Sequence, residues 1–198
     1  MKFKVKDHYF KKAKKENFLA RSVYKLEEID AKHRVLKKGD KVLDLGYYPG
    51  SWIQYSAQKV GESGKIVGVD IQEINPKLNL LNNVKLFQKS IFDIKSLEDL
   101  EVNERFDVVL SDMAPSTTGI KTVDQSRSVQ LVESTIELLD ICLNVHGNYI
   151  FKIFDGPDVQ DLIRDLKNKF EKVAQFKPKS TRSISKEFFV IAKGFKKC

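Results

Sequence analysis

The sequence predicts an α/β protein with a mostly parallel sheet and helices on both faces. Short apolar runs of strand length alternate with longer segments in which apolar residues recur at helical spacing, the pattern of a doubly wound sheet. The first run, at 42–45, leads directly into a glycine-containing turn and the start of a helix, an arrangement that cradles phosphates and nucleotides in such sheets. The 198 residues suit one domain with a full core, and no linker or internal repeat divides residues 1–198.

The first predicted helix runs from Asn17 to about His33, because apolar residues recur there every three or four positions. It follows a basic N-terminal extension of about residues 1–16, which either packs on the domain or lies on nucleic acid as an arm. Further helices are predicted from Ser51, at 95–101, at 126–143, and from Pro157 to about Phe170. A poor helix or a loop is predicted at 73–83, which holds a proline and several asparagines. A loop that faces the substrate is predicted at 113–125.

The carboxyl ends of the predicted strands carry a group of charged side chains. The strands and β-like runs are at 42–45, 65–70, 84–87, 106–112, 148–154, 172–176 and 188–193. Ligands of parallel sheets bind at the carboxyl ends of the strands, where this sequence has Asp44, Asp70, Asp93, Asp112 and Lys152. Helix capping explains some of the acids but not Lys152, which is costly to bury in an apolar strand without a partner. The alternative for Lys152 is an edge strand that leaves it exposed.

The turn after the first strand predicts a cofactor site. Gly46, Pro49 and Gly50 interrupt the apolar run, and the Gly-x-x-x-Gly spacing indicates an adenosine-bearing cofactor other than a dinucleotide. The next strand ends in Asp70, about 20 residues further on, where a partner for a ribose hydroxyl is expected. The alternative is an ordinary turn between strand and helix, with Asp70 capping the next helix.

The distribution of charge predicts a surface that binds a polyanion. The net charge is +8 in residues 1–41, −7 in residues 42–167 and +7 in residues 168–198, so both ends are basic and the middle is acidic. The alternative is solvated lysine that keeps the protein soluble. The predicted RNA-binding residues are Lys11, Lys12, Lys14, Lys15, Arg21, Arg34, Lys179 and Arg182.

The composition excludes several other classes of protein. No apolar run has the length of a membrane helix, and the lysine-rich N-terminus lacks the apolar core of a secretory signal. The two cysteines, Cys142 and Cys198, do not suggest a disulfide framework, and three scattered histidines give no metal-binding pattern. We therefore expect a cytoplasmic protein without a metal.

Six stretches of the sequence resemble one known family. They are Ala20-Arg-Ser-Val-Tyr-Lys-Leu-Glu-Glu-Ile29, Asp44-Leu-Gly-Tyr-Tyr-Pro-Gly-Ser-Trp52, Gly68-Val-Asp70, Ser111-Asp-Met-Ala-Pro115, Phe151-Lys152 and Ser183-Ile-Ser-Lys-Glu187. The chain resembles the RrmJ (FtsJ) family of S-adenosylmethionine-dependent RNA ribose 2′-O-methyltransferases over almost its whole length. Lys25, Asp112, Lys152 and Glu187 match the catalytic Lys-Asp-Lys-Glu tetrad of that family in order.

The resemblance implies a Rossmann-like class I methyltransferase fold, whose seven-stranded sheet ends in an antiparallel hairpin. It also implies S-adenosyl-L-methionine as cofactor, bound at Gly46, Pro49, Gly50, Trp52, Asp70, Ile71, Asp93 and Asp112. The sequence departs from the family at Tyr47 and Tyr48, where small residues are usual, and at Ser51, where glycine is frequent. The two tyrosines either point away from the pocket or narrow it.

The predicted reaction is in-line transfer of a methyl group to a ribose 2′-hydroxyl, with Lys152 as the general base. Lys152 has to be neutral to accept a proton, and both burial and the nearby cation Lys25 favour the neutral form. Asp112 and Glu187 would orient the two lysines. Taken singly, Lys25 and Glu187 would be ordinary surface charges, and it is the ordered set that supports the catalytic interpretation.

The expected substrate is 23S ribosomal RNA, at a uridine in the A loop, within an assembled large subunit, and we expect the enzyme to act as a monomer. The first alternative is a transfer RNA methylated in its anticodon loop, because related enzymes of similar length share the tetrad. A second alternative is a non-catalytic RNA-binding protein that retains the fold. A small-molecule methyltransferase would have no need of two basic ends.

Overall fold

The computed structural model describes residues 8–196, in which five helices surround a seven-stranded sheet. The helices are α1 (His8–Lys15), α2 (Val23–His33), α3 (Ser51–Val60), α4 (Lys121–Cys142) and α5 (Val159–Lys169). The strands are β1 (Lys41–Leu45), β2 (Lys65–Asp70), β3 (Val84–Gln88), β4 (Phe106–Ser111), β5 (Leu143–Phe154), β6 (Phe170–Phe176) and β7 (Glu187–Phe195). Short 3-10 turns occur at Pro76–Leu78, Ile91–Asp93 and Glu98–Leu100.

The sheet has the strand order β3-β2-β1-β4-β5-β7-β6, in which β1 to β5 run parallel. The last strand, β7, lies antiparallel between β5 and β6. The predicted seven-stranded, Rossmann-like sheet with an antiparallel C-terminal pair is therefore confirmed. Because β5 is an interior strand, the alternative that Lys152 lies exposed on an edge strand is wrong.

Both faces of the sheet are covered by helices, and each face has its own apolar core. Successive side chains of a strand point to opposite faces, so Leu43 packs with α4 and α5 while Val42 packs with α2 and α3. The same alternation places Tyr149 and Phe151 on the α4 side and Ile150 on the α2 side. By this alternation Lys152 faces α2, which carries Lys25.

The helix predicted from Asn17 to about His33 is wrong at its start. Residues 8–15 already form α1, and Asn17 then adopts a left-handed backbone with a φ of 60°, which ends that helix. Asparagine tolerates this conformation better than most residues. The chain turns through residues 18–22 before α2 begins at Val23. Residues 1–7 of the predicted extension and Cys198 lie outside the described residues.

The starts of α4 and β5 each come five residues before the predicted position, and the short helix predicted at 95–101 is only a 3-10 turn at Glu98–Leu100. The predicted loop at 113–125 is too long, because α4 begins at Lys121, where Asp124 accepts hydrogen bonds from the main-chain nitrogens of Thr118 and Gly119. Such contacts satisfy free amides before the first turn of a helix. Strand β5 begins at Leu143, five residues before the predicted start, with an irregularity in its pairing to β4. No helix among residues 8–196 has the length and hydropathy needed to cross a membrane.

Candidate active site

The four predicted catalytic residues meet at the carboxyl edge of the sheet. Asp112 directly follows β4, and Lys152 lies near the end of the neighbouring strand β5. Lys25 comes from the first turns of α2. Glu187 is the first residue of β7 and pairs with Phe154, because β7 runs antiparallel to β5 and so begins where β5 ends. The start of one strand and the ends of two others thus share one edge.

The charged groups of these residues form a continuous chain of ion pairs. Lys25 Nζ lies 2.5 Å from Glu187 Oε1 and 3.8 Å from Asp112 Oδ1. Lys152 Nζ lies 3.0 Å from Asp112 Oδ1 and also donates a hydrogen bond to the main-chain carbonyl of Asp112. The four side chains are between 9% and 19% exposed, so solvent screens these pairs only partly.

The pKa of Glu187 is held below its ordinary value. Burial alone would raise this pKa, but the charges of Lys25 and Lys152, with hydrogen bonds from Lys25 and Ser185, outweigh that effect. Glu187 is therefore a carboxylate at neutral pH, and it balances the charge that Lys25 brings to the site.

Lys25 packs over an aromatic ring, which in turn packs against a second ring. Lys25 Nζ lies 5.6 Å from the centre of the Phe189 ring, and Trp52 packs against the same ring at 5.7 Å between centroids. The Nε1 atom of Trp52 donates a 2.8 Å hydrogen bond to the main-chain carbonyl of Ser22, just before α2. Trp52 is buried and connects α3 to the helix that carries Lys25.

An open cavity of about 840 Å³ adjoins the ion pairs and reaches Asp112. Four predicted cofactor residues line it, namely Gly46, Asp70, Ile71 and Asp112. The other predicted cofactor residues, Pro49, Gly50, Trp52 and Asp93, are not among the lining residues, although Ser90, Ile91 and Phe92 beside Asp93 are. The volume is within the range of sites for cofactors and small ligands.

The turn between β1 and α3 depends on two glycines with positive φ. Gly46 has a φ of 73°, and a Cβ there would collide with the side chain of Met113. Gly50 has a φ of 112°, and a Cβ there would collide with Leu78. Only glycine adopts such backbones without strain, so the turn keeps its tight path beside the cavity.

The two tyrosines of this turn have different places. Tyr47 is buried in the core on the α2 side, where its ring fills the space above Gly68. Tyr48 is 50% exposed and lines the cavity. The first tyrosine therefore points away from the pocket, and the second forms part of its wall.

The carboxylate of Asp70 faces the cavity and is held by the main chain. Its Oδ2 accepts a 2.9 Å hydrogen bond from the Tyr48 nitrogen, and its Oδ1 accepts one of 2.9 Å from the Gln72 nitrogen. Each carboxylate oxygen retains a further lone pair. Asp70 can therefore accept additional hydrogen bonds from a ligand with two hydroxyl groups.

Asp44 is a buried acid beneath the same edge. Both of its carboxyl oxygens are buried and accept no hydrogen bond from the described residues. Burial, followed by the negative charges of Asp112 and Asp70, raises its pKa well above the ordinary value. Asp44 is therefore protonated at a pH where most aspartates are charged.

Sequence reasoning missed part of the cavity wall. Three polar residues of α4, Arg127, Gln130 and Ser134, line the cavity opposite the glycine turn. They belong to no local motif, and an amphipathic helix presents polar residues at many such positions. Only the packing of α4 on the sheet identifies them.

Four of the predicted RNA-binding residues lie on α1, which packs against α2 through Tyr9 and Tyr24. Helix α1 carries Lys11, Lys14 and Lys15 at exposed positions. On the same helix, Lys12 Nζ lies 3.9 Å from Glu16 Oε1 and 4.2 Å from the centre of the Tyr24 ring, so its ammonium group already has contacts within the protein.

The remaining predicted RNA-binding residues are divided between two places. Lys179 and Arg182 are exposed in the loop that leads to Glu187, and Arg21 donates a hydrogen bond to that loop at the Ser180 carbonyl. Arg34 is exposed at the far end of α2, next to Val35, whose carbonyl contacts the start of the parallel section of β5. The structure therefore does not bring Arg34 to the catalytic edge.

No group of three or more His, Cys, Asp or Glu side chains among residues 8–196 is arranged to hold a metal ion.

Comparisons with known proteins agree on one family. The model of the FtsJ-like methyltransferase family matches residues 18–195. The Ribosomal RNA large subunit methyltransferase E of Nitratidesulfovibrio vulgaris is 45% identical over 195 residues, covering 98% of this chain and 95% of that protein. The protein of the same name from Syntrophobacter fumaroxidans is 43% identical over 198 residues, covering 100% of both chains. A crystal structure described as a ribosomal RNA methyltransferase from Plasmodium falciparum matches with a TM-score of 0.79 and 31% identity, covering 90% of this chain and 98% of that one.

Proposed function

Because the chain belongs to the FtsJ-like methyltransferase family, we propose that it methylates a ribose 2′-hydroxyl of large-subunit ribosomal RNA. The observation that carries the proposal is the chain of ion pairs from Glu187 through Lys25 and Asp112 to Lys152, at the rim of a cavity of cofactor size. A protein that only binds RNA has no need of two lysines and two carboxylates in partly buried contact, because buried charges are costly.

The cavity suits S-adenosylmethionine in size and in polarity. Gly46, whose missing Cβ lets Met113 pack against the β1–α3 turn, forms part of the cavity wall, and Asp70 has acceptor positions free for two ribose hydroxyls. The carboxyl oxygens of Asp44, which lack donors in the protein, add to the polar character of this edge. The bound cofactor would supply an electrophilic methyl group.

Lys152 is the residue that we assign as general base. Its Nζ lies beside Asp112 at the edge where the cavity ends, and its stem is fixed within the interior strand β5. In its neutral form it would take the proton of the 2′-hydroxyl as the oxygen attacks. The proton would leave the hydroxyl oxygen for Nζ. The oxygen lone pair would form the new bond to the methyl carbon that the cofactor supplies, and the bond from that carbon to the sulfonium sulfur would break to leave a neutral thioether.

Lys25, Asp112 and Glu187 would keep that base in position. The main-chain carbonyl of Asp112 accepts a hydrogen bond from Lys152, and the side-chain Oδ1 of Asp112 lies 3.0 Å from Lys152 Nζ. Lys25 remains paired with Glu187 when Lys152 loses its proton, so the site still contains a compensated positive charge. Such positioning lowers the reaction barrier because the reacting atoms are already aligned before the reaction begins.

The substrate is the finer part of the proposal. We infer a uridine in the A loop of 23S ribosomal RNA, within the large subunit, and the names of the similar bacterial proteins support ribosomal RNA as the class of substrate. The exposed lysines of α1 and the exposed cations Lys179 and Arg182, which stand in the loop that leads to Glu187, would contact the phosphates of the RNA.

The test is methyl transfer from labelled cofactor to three acceptors: large ribosomal subunits, naked 23S RNA and transfer RNA. We expect the label in large subunits, at one ribose that resists alkaline cleavage on its 3′ side. Label in transfer RNA alone would replace the ribosomal substrate by the anticodon-loop alternative. Failure of the wild-type protein to label any RNA, with cofactor bound, would leave a non-catalytic RNA-binding protein.

A further inference from the structure

The loop that joins β6 to β7, residues 177–186, is the segment that leads into Glu187. It contains two turns, in which the Thr181 nitrogen donates to the Pro178 carbonyl at 3.0 Å and the Ser185 nitrogen to the Arg182 carbonyl at 2.9 Å. Its last residue is anchored by a 3.0 Å hydrogen bond from the Asp155 nitrogen to the Lys186 carbonyl. The position of the loop decides where its cations stand relative to the catalytic edge.

The first half of this loop is attached to α2 through one carboxylate. Glu28 accepts hydrogen bonds from two successive main-chain nitrogens, of Lys179 at 2.6 Å through Oε2 and of Ser180 at 2.9 Å through Oε1. Successive amides that converge in this way form a concave site that favours a negative charge. Hydrogen bonds to a charged acceptor are also shorter and stronger than neutral ones.

A second contact comes from the turn just before α2. Arg21 donates a hydrogen bond to the Ser180 carbonyl, so the residue Ser180 is held both at its nitrogen and at its carbonyl oxygen. The hydroxyl groups of Ser180 and Thr181 are buried but have no hydrogen-bond partner among the described residues. The loop is therefore attached to α2 through its main chain and not through these side chains.

The spacing on α2 links this attachment to the catalytic residues. Lys25 and Glu28 are three residues apart on α2, which places them on one face of the helix, and Arg21 lies in the turn just before α2. Lys25 is paired with Glu187, the residue that follows the loop. One helix face thus contacts both the beginning of the loop and the residue at its end.

We propose that Glu28 is a positioning residue for methyl transfer to RNA, and that it acts by holding the 177–186 loop in the form that presents Arg182 and Glu187. This inference rests on the proposed function, because it takes the loop as part of the RNA contact. Glu28 does not touch the reacting atoms; its effect passes through the main chain of Lys179 and Ser180. Without the carboxylate, the amides of exposed Lys179 and buried Ser180 lose their acceptor, and the loop gains alternative conformations.

The neighbouring residue Glu27 provides a matched control. Glu27 has the same charge on the same helix, is exposed, and makes no hydrogen bond to residues 177–186. Glu27→Ala removes the same charge from α2 but leaves the loop attached. Glu28→Gln keeps one acceptor oxygen and loses the charge, so it should weaken the attachment of the loop less than Glu28→Ala does.

Hydrogen exchange of the free protein tests the attachment directly. In Glu28→Ala we expect amides of 177–186 to exchange about tenfold faster or more, as expected for lost hydrogen bonds to a charged group, while β1, β4 and β5 keep wild-type exchange. Glu28→Gln should be intermediate, and Glu27→Ala should match the wild type. Unchanged exchange of the loop in Glu28→Ala would overturn the inference, as would faster exchange of the whole sheet.

Single-turnover methylation of RNA then tests the consequence. We expect Glu28→Ala to lower the rate at saturating RNA by about 10- to 100-fold and to raise the RNA concentration at half-maximal rate, with cofactor affinity and Tm close to wild type. A loosened loop with an unchanged rate would overturn the positioning role. If the wild-type protein methylates no RNA, the proposed function fails, and the exchange experiment still decides separately whether Glu28 holds the loop.

Discussion

The Nζ atom of Lys152 lies 3.0 Å from Oδ1 of Asp112, and the same nitrogen also donates to the main-chain carbonyl of Asp112. Lys152 is thus held by two oxygens of one residue, at the boundary between two adjacent parallel strands. This arrangement fixes the nitrogen at the end of the cavity and leaves it one further direction in which to meet a substrate.

Replacement of Lys152 tests the assignment of the base. Lys152→Ala should lower the single-turnover rate by about 10²–10⁴-fold, the usual loss when a general base is removed. Cofactor affinity should remain near wild type, because Asp70 and the glycine turn are unchanged. Lys152→Met, which preserves most of the buried stem, separates the loss of the amine from the loss of packing and should be equally inactive.

Lys152→Arg distinguishes a base from a positive anchor. A guanidinium group stays protonated under all usable conditions, so this variant should be as inactive as Lys152→Ala. A near-wild-type rate in Lys152→Arg, with chemistry rate-limiting, would show that Lys152 only supplies charge.

Glu187→Gln should reduce stability in a pH-dependent way. The pKa of Glu187 is lowered in the folded state, because Lys25 and Lys152 more than offset the effect of burial. A carboxyl group whose pKa is lowered by folding stabilises the folded state at pH values above its pKa in the unfolded chain, about 4.3 for glutamate. This stabilisation disappears as the pH falls through the pKa of the group in the folded protein. We expect the variant to lose about 1–3 kcal/mol of unfolding free energy at pH 7. Denaturant titrations should show this difference shrinking below pH 4; an equal difference at every pH would contradict the ion-pair explanation.

Asp70→Ala should weaken binding of S-adenosylmethionine by about 1–3 kcal/mol, the value of hydrogen bonds to a charged group. Isothermal calorimetry measures this directly on the folded variant. Glu73→Ala is the control, because Glu73 is an exposed acid three residues away that does not line the cavity. Equal affinities for the two variants would remove Asp70 from the cofactor site.

Asp44→Asn should change how stability depends on pH in the cofactor-free protein. The pKa of Asp44 is raised, first by burial and then by Asp112 and Asp70, so the folded state keeps a proton that the unfolded state releases above about pH 3.9. Between the pKa of Asp44 in the unfolded chain and its pKa in the folded protein, the unfolding free energy of the wild type therefore falls by up to about 1.4 kcal/mol for each pH unit. The asparagine variant lacks this loss, so its stability relative to wild type should rise with pH. Parallel stability curves for the two proteins would show that Asp44 is charged in the folded state.

The lysines of α1 should make RNA binding sensitive to salt. Replacing Lys11, Lys14 and Lys15 with glutamine should weaken RNA binding and reduce the dependence of affinity on salt concentration, because fewer counterions are then released. A matched triple variant at Lys38, Lys65 and Lys172 removes the same charge from exposed positions near the opposite, amino edge of the sheet. If both triple variants have the same salt dependence, the α1 lysines act only as general positive charge.

Local patterns in the sequence were sufficient for most of the sheet. The alternation of apolar runs and helical segments predicted every strand of the sheet, because strand formation follows from short-range hydrophobic periodicity. The ends of helices were less predictable. Asn17 ends α1 through its own backbone conformation, and Asp124 begins α4 early by binding amides outside the helix. Each effect depends on the backbone conformation or the hydrogen bonds of one residue, which hydrophobic periodicity does not predict.

The sequence by itself determined the four charged residues of the candidate site, since Lys25, Asp112, Lys152 and Glu187 each stand in a short recognisable segment. Only the tertiary structure decided how they meet: the antiparallel direction of β7 brings Glu187 to the edge where β4 and β5 end, and α2 brings Lys25 within 2.5 Å of it. It also decided that Trp52 supports α2 and that Glu28 holds the 177–186 loop. The physical reason is that charge contacts and hydrogen bonds act over a few ångströms in space, and their partners here are 30 to 162 positions apart in the chain.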